Sequence, residues 1–260
     1  MRVISLLTWL VLTLVAPAHA QSPEITANRS DVIRLLGEIP DFALIRREYE
    51  ALGYSGEKLD LAVEQAGLLY RDPVLAGYLA DQLIAAYQSP ESVNRNSGGL
   101  VIGLIRRGLG HLNTRELRYY YRVEQIMLQS LPERTCGRAV RDQLSPEKFS
   151  ELVTRLAAGF TVESLREYYR IQAKAARFGV THKPVLLSVA KSIEIEDRVN
   201  GRLAEKIERS ENSRALLNAI GNLERARNKQ ACQIGRLFME AVMELKGREL
   251  RETLIYMSLP

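Results

Sequence analysis

Residues 232–245 run CQIGRLFMEAVMEL, and their spacing decides the fold class. Ile234, Leu237, Phe238, Ala241, Val242 and Leu245 recur at intervals of three and four. At 3.6 residues per turn these positions form one stripe, whereas a strand would scatter them over two faces. The same interval recurs outward along the chain. It is found in Leu216, Leu217, Ile220 and Leu223, in Phe149, Leu152, Val153 and Leu156, and in Leu59, Ala62, Val63, Ala66, Leu69 and Tyr70. Alternating runs of strand length are scarce. Residues 192–197 (SIEIED) alternate, but charged helix-forming neighbours assign them to a helix. The chain is therefore expected to be all-α, with about nine or ten helices. They should form a single array of antiparallel or stacked helices over residues 25–258.

Helix starts are marked as clearly as helix faces. Ser22-Pro23-Glu24, Ser89-Pro90-Glu91 and Ser145-Pro146-Glu147 each place a capping hydroxyl before a proline suited to the first turn, then an acid at the positive end of the helix. Asp72-Pro73 repeats the device, and Asn113 with Glu116 forms the pattern of a capping box. Residues 180–184 (VTHKP) separate two further helical segments. No glycine-serine linker or low-complexity tract occurs.

The first twenty residues have the pattern of a cleavable export signal. Arg2 supplies the positive start, residues 4–15 the apolar run, Pro17 a break, and Ala18-His19-Ala20 the small side chains that signal peptidase requires. A twelve-residue run is short for a bilayer, which takes about 20; the alternative is an uncleaved N-terminal anchor. Cleavage would make residues 21–260 one helical domain, periplasmic or secreted, with no stable membrane insertion. The chain carries a formal charge of +5, of which Arg2 contributes one. So small a surplus favours anionic partners only slightly.

Cys136 and Cys232 are the two cysteines of the chain. In an oxidising compartment an even count favours a disulfide, here joining the middle of the chain to its C-terminal helices. Closing a loop of that length removes about 4–5 kcal/mol of denatured-state entropy. The alternative is two buried thiols. Neither cysteine has a CxxC neighbour, which argues against a redox-active dithiol.

Two segments resemble each other. Residues 117–122 (LRYYYR) and 165–170 (LREYYR) each follow a threonine, at an offset of 48. Two stacked hairpins or coincidence between amphipathic helices would both give this. On a helix, Tyr120, Tyr121 and Glu124 share a face with Leu117, while Arg118 and Arg122 lie together one step round. Tyrosine offers contact area at low entropic cost, and arginine a fork for carboxylate or phosphate. The candidate binding residues are accordingly Arg118, Tyr120, Tyr121, Arg122, Arg166, Tyr169 and Arg170. The opposing reading is a core edge of tyrosines with solvated arginines beside it. Residues 97–110 (SGGLVIGLIRRGLG) suggest close helix packing through Gly99 and Gly103; the Lys-Ser ending of a nucleotide loop is missing.

Catalytic patterns are lacking. His111 and His182 fall in connectors, no HExxH or His/Cys cluster suggests a metal, and no G-x-S-x-G elbow suggests a serine hydrolase. Glu163-Ser164 resembles the Glu-Ser pair of the helical lytic transglycosylases, but the Gly-Leu-Met-Gln segment expected downstream does not occur. No nucleic-acid motif is present, and residues 214–229 make only a moderate basic amphipathic helix. The expectation is a cofactor-free, exported, non-enzymatic binding protein with a protein partner in the cell envelope, as an inhibitor, immunity-type protein or adaptor would have. The competing readings are a peptidoglycan-active enzyme using a glutamate acid, and a protein that binds an anionic lipid or glycan.

Overall fold

The computed structural model describes residues 28–88 and 100–259. Among the described residues it contains α-helices, short 3₁₀ turns and no strand. The export segment, the first two Ser-Pro-Glu tripeptides and Gly99 lie outside the described residues. The helices are α1 (Arg29–Glu38), α2 (Ala43–Ala51), α3 (Gly56–Tyr70), α4 (Pro73–Gln88), α5 (Leu100–Leu109), α6 (Thr114–Ser130) and α7 (Glu133–Val140). They continue with α8 (Pro146–Ala157), α9 (Val162–Thr181), α10 (Val189–Glu208), α11 (Ser213–Ile220), α12 (Asn228–Met243) and α13 (Gly247–Ser258). The count exceeds nine or ten because α1, α2 and α7 have at most ten residues each, too few to repeat an apolar stripe. Residues 192–197 do lie in a helix, α10. The break expected at 180–184 falls slightly later, since α9 runs to Thr181 and α10 begins at Val189.

The sequence-marked starts hold their helices physically. Asp72 Oδ1 accepts from the amides of Val74 (2.9 Å) and Leu75 (3.0 Å), and Pro73 is the first residue of α4. Asn113 and Glu116 complete a reciprocal capping box on α6. Thr161 caps α9 through the Ser164 amide, and α8 begins at Pro146 after Ser145.

The contacts divide the chain into two compact units. Of the described residues, unit 1 holds 109–149 and 184–259; unit 2 holds 28–88, 100–108 and 150–183. The chain passes between them three times without a change of composition.

In unit 2, α3 packs on α9, and α4 packs on α1 and α9. Leu59, Ala62, Ala66 and Leu69 of α3 and Leu165, Ile171 and Ala175 of α9 are buried. One polar pair lies within this core, with Gln65 Nε2 donating to Gln172 Oε1 at 2.6 Å. The tightest approach is between α5 and α9. A methyl group on Gly108 would overlap the carbonyl of Ala175, and one on Gly179 would overlap the carbonyl of Leu104. Gly103, expected from the sequence to provide this closeness, has nothing near its missing side chain. The crossing instead falls five residues later, where a second glycine faces it from α9.

Unit 1 is built on the crossing of α7 and α12. Cys136 and Cys232 form the disulfide, with Cα atoms 5.1 Å apart and both residues buried. Gly137 and Gly235 flank it. A side chain on Gly137 would enter the backbone of Asn228, and one on Gly235 would meet Val140. The Arg141 guanidinium, which donates to the Gly137 carbonyl (3.1 Å) and the Glu224 carbonyl (3.3 Å), also bonds the Asn228 side chain. Around this crossing, α12 also packs on α6, α10 and α11, and α13 packs on α6 and α10.

These close approaches lead to two expectations. Gly108→Ala should lower unfolding free energy by about 1–3 kcal/mol through overpacking. Gly103→Ala, in open space on the same helix, should be neutral or raise it by up to about 1 kcal/mol through helix propensity. Denaturant titration of the two variants checks both. Replacing Cys136 and Cys232 together by serine should cost about 2–5 kcal/mol in the same assay.

Candidate functional site

The two look-alike segments fold into the same local register. Leu117 in α6 and Leu165 in α9 are fully buried. Tyr120 and Tyr121 are each 6% exposed, as is Tyr169, and Tyr168 is buried as well. These tyrosines therefore belong to the cores of their units rather than to a contact surface. The cause is helical phase, since 117, 120, 121 and 124 share the side of α6 that carries its apolar residues.

In unit 1 the rings of Tyr120 and Tyr121 meet edge to face, with centroids 5.5 Å apart. In unit 2, Tyr169 joins a buried phenol cluster. Tyr54 Oη donates to the Thr154 carbonyl at 3.0 Å, so its own oxygen accepts from Tyr169 Oη, also at 3.0 Å. Tyr49 stands edge to face with Tyr54, and Phe160 with Tyr168. Burial disfavours the phenolate. It pushes Tyr54 and Tyr70 up to about 12 and raises Tyr49 and Tyr169 well above the ordinary tyrosine range.

The arginines part ways. On α9, Arg166 donates to Glu57 Oε1 at 2.7 Å, and Arg170 forms a two-pronged pair with Glu167 at 2.7 and 2.8 Å. Further along the same helix, Arg177 donates to Asp72 Oδ2 at 2.7 Å. Each of these cations stands against a carboxylate. On α6 none does. Arg118 is exposed and forms no hydrogen bond or ion pair among the described residues. Arg122 donates only to the neutral Gln125 Oε1, at 2.6 Å.

Arg115, three residues before Arg118, is also exposed and likewise without a partner among the described residues. Ile126, four residues after Arg122, is 41% exposed. At 100° per residue, Arg115, Arg118, Arg122, Ile126 and Gln129 fall within an arc of about 80°. The sequence reading missed Arg115 and Ile126, although both lie at the three-and-four interval from residues it did select.

Both ends of α6 are held. At its start, Arg251 of α13 donates to the Leu112 carbonyl (3.1 Å) and the Thr114 hydroxyl (3.4 Å). At its end, Arg236 of α12 reaches the carbonyls of Leu128 (3.4 Å), Gln129 (3.0 Å) and Leu131 (2.7 Å). A cation there suits the negative end of the helix dipole. Both of these groups from neighbouring helices add positive charge beside α6.

Other surface features have less to offer. Leu186 and Val189 are the most exposed large apolar residues among those described, at 87% and 77%. The cations that follow them on α10 are already paired, Lys191 with Glu194 and Glu252, and Arg198 with Glu194. Glu163 is exposed in the first turn of α9, beside the Thr161 cap. His111 and His182 lie in connectors, His182 against Phe178 and the Thr181 hydroxyl. Among the described residues no group of His, Cys, Asp or Glu is placed to hold a metal ion, and no helix is long and apolar enough to cross a membrane. No family model, curated protein or solved structure matches the chain.

The buried phenols set an alkaline limit. Their folded pKa values lie above the unfolded value of 10.0, so the stability they contribute is fully present below pH 10 and is lost as pH rises toward 12. Urea midpoints should hold steady from pH 7 to about 9 and then fall. In a Tyr54→Phe/Tyr169→Phe variant the alkaline decline should be shallower.

Proposed function

We propose that the chain is an exported, non-enzymatic binding protein that recognises an acidic protein surface in the cell envelope. An inhibitor, an immunity-type protein or an adaptor would work in this way. The observation that supports the reading is the outer face of α6, where Arg115, Arg118 and Arg122 align with no carboxylate against them among the described residues. The same kind of row on α9 is compensated by Glu57, Glu167 and Asp72. The contrast argues that solvation alone does not account for the α6 row. Export rests on the pattern of residues 1–20.

Magnitudes decide what such a face can do. One exposed ion pair is worth about 0–1 kcal/mol, so three arginines do not make a tight complex by charge alone. Their effect is on encounter rate and orientation, while affinity comes from desolvated contact beside them. Ile126 lies on the same arc and can supply part of that contact. Arginine forks donate to carboxylates two prongs at a time, a geometry that suits the acidic side chains of a protein surface. Since α6 is fixed at both ends by Arg251 and Arg236, little ordering is required on association.

The oxidised protein, residues 21–260, should capture a partner from an envelope extract. Capture should weaken about tenfold in Arg118→Glu/Arg122→Glu and fall as salt rises. Arg166→Glu/Arg170→Glu should capture as well as the unmodified protein. Equal capture by both variants would end this reading, and retention of anionic lipid or glycan in place of protein would shift it to that ligand class.

A further inference from the structure

We infer that the partner element seated on α6 is an acidic α-helix whose carboxylates repeat at intervals of three and four residues, followed by an apolar side chain that meets Ile126. The inference rests on the reading of α6 as the contact face and names what that face fits. From Arg115 to Arg118 the helix rises about 4.5 Å, to Arg122 about 10.5 Å, and to Ile126 about 16.5 Å. A second helix laid alongside repeats the same steps, so acids at positions i, i+3 and i+7 and an apolar group at i+11 meet the row in register. An extended strand presents alternate side chains about 6.6–6.8 Å apart, which overshoots the step from Arg115 to Arg118 by about 2 Å and matches the row less well than a helix does.

The charged groups from neighbouring helices that bond the two ends of α6 are both cations, Arg251 from α13 and Arg236 from α12. The acids of α6 itself are turned away, with Glu116 buried in the capping box and Glu124 half-buried on the opposite side. Toward a membrane the fit is poor. A helix lying in a lipid surface inserts an apolar face. Here Leu117, Tyr120, Tyr121, Val123, Met127 and Leu128 are all committed to the core of unit 1. The outer arc of α6 offers Ile126 as its one large exposed apolar side chain among the described residues.

Fluorescence anisotropy of the oxidised protein against defined probes tests the inference. The first probe is a covalently stapled helical peptide of about 14 residues, long enough to span the row, with glutamates at i, i+3 and i+7 and leucine at i+11. Its reverse-order counterpart, a scrambled peptide of the same composition, phosphatidylglycerol vesicles and a sulfated glycan complete the set. One of the two stapled peptides should bind at least about tenfold more tightly than the scrambled one, a difference that Arg118→Glu/Arg122→Glu abolishes. Ile126→Ala should reduce binding about threefold. Equal binding of stapled and scrambled peptides would overturn the helix while leaving an acidic protein surface as the target. Arginine-dependent binding of vesicles or glycan that exceeds both peptides would overturn the protein reading as well. All substitutions are at exposed positions, and far-ultraviolet circular dichroism with intact Cys136–Cys232 confirms that each variant is folded.

Discussion

The crossing of α7 and α12 is the constraint on which unit 1 depends. The two helices approach closely at Gly137 and Gly235, and a sulfur bridge within one turn holds them there. Such an approach is sterically narrow, because a methyl group at either glycine meets atoms that cannot move aside cheaply. The bridge acts on a different quantity, removing conformations from the unfolded chain rather than adding contacts to the folded one. From α12 the order continues outward: its Arg236 grips the last carbonyls of α6, and α6 carries the exposed arginines. The candidate face is thus two steps from the crosslink, by way of one guanidinium.

The pair of similar segments shows how little a local motif says about a surface. Residues 117–122 and 165–170 put the same residue types into the same buried and exposed phases of a helix. What separates them is partly local, since Glu167 stands where α6 has Tyr119 and pairs with Arg170, and partly what stands across from the other arginines. Glu57 and Asp72 approach α9 from positions more than a hundred residues away in the chain. On α6 no acid among the described residues does so, and cations close both of its ends. Net charge hides this, since an arginine matched by a distant glutamate and an arginine left unmatched contribute equally to a composition.

Helix class, the caps at Asp72 and Asn113 and the pairing of the two cysteines were legible because each depends on spacing or chemistry within a few residues, or on a pair with one solution. Short helices such as α2 and α7 were not, because eight or nine residues cannot show a period twice. The tyrosines could have been placed in the core from phase alone, as Leu117, Tyr120 and Tyr121 point the same way round α6. The ion pairs of Arg166 and Arg177 could not, since their partners are fixed by tertiary structure. The glycine-rich run around α5 announced a close helix approach but not which glycine makes it; that was decided by Gly179 on α9.

The interleaving of the two units along the chain bears on the order in which the molecule can be made. Synthesis proceeds from the N-terminus, and domains tend to condense as they emerge. Every residue of unit 2 has left the ribosome once Lys183 has appeared, whereas Cys136 has to wait until Cys232 follows. The segment 109–149 is therefore an orphan for much of translation, with its apolar side of α6 lacking α12 and α13 to cover it.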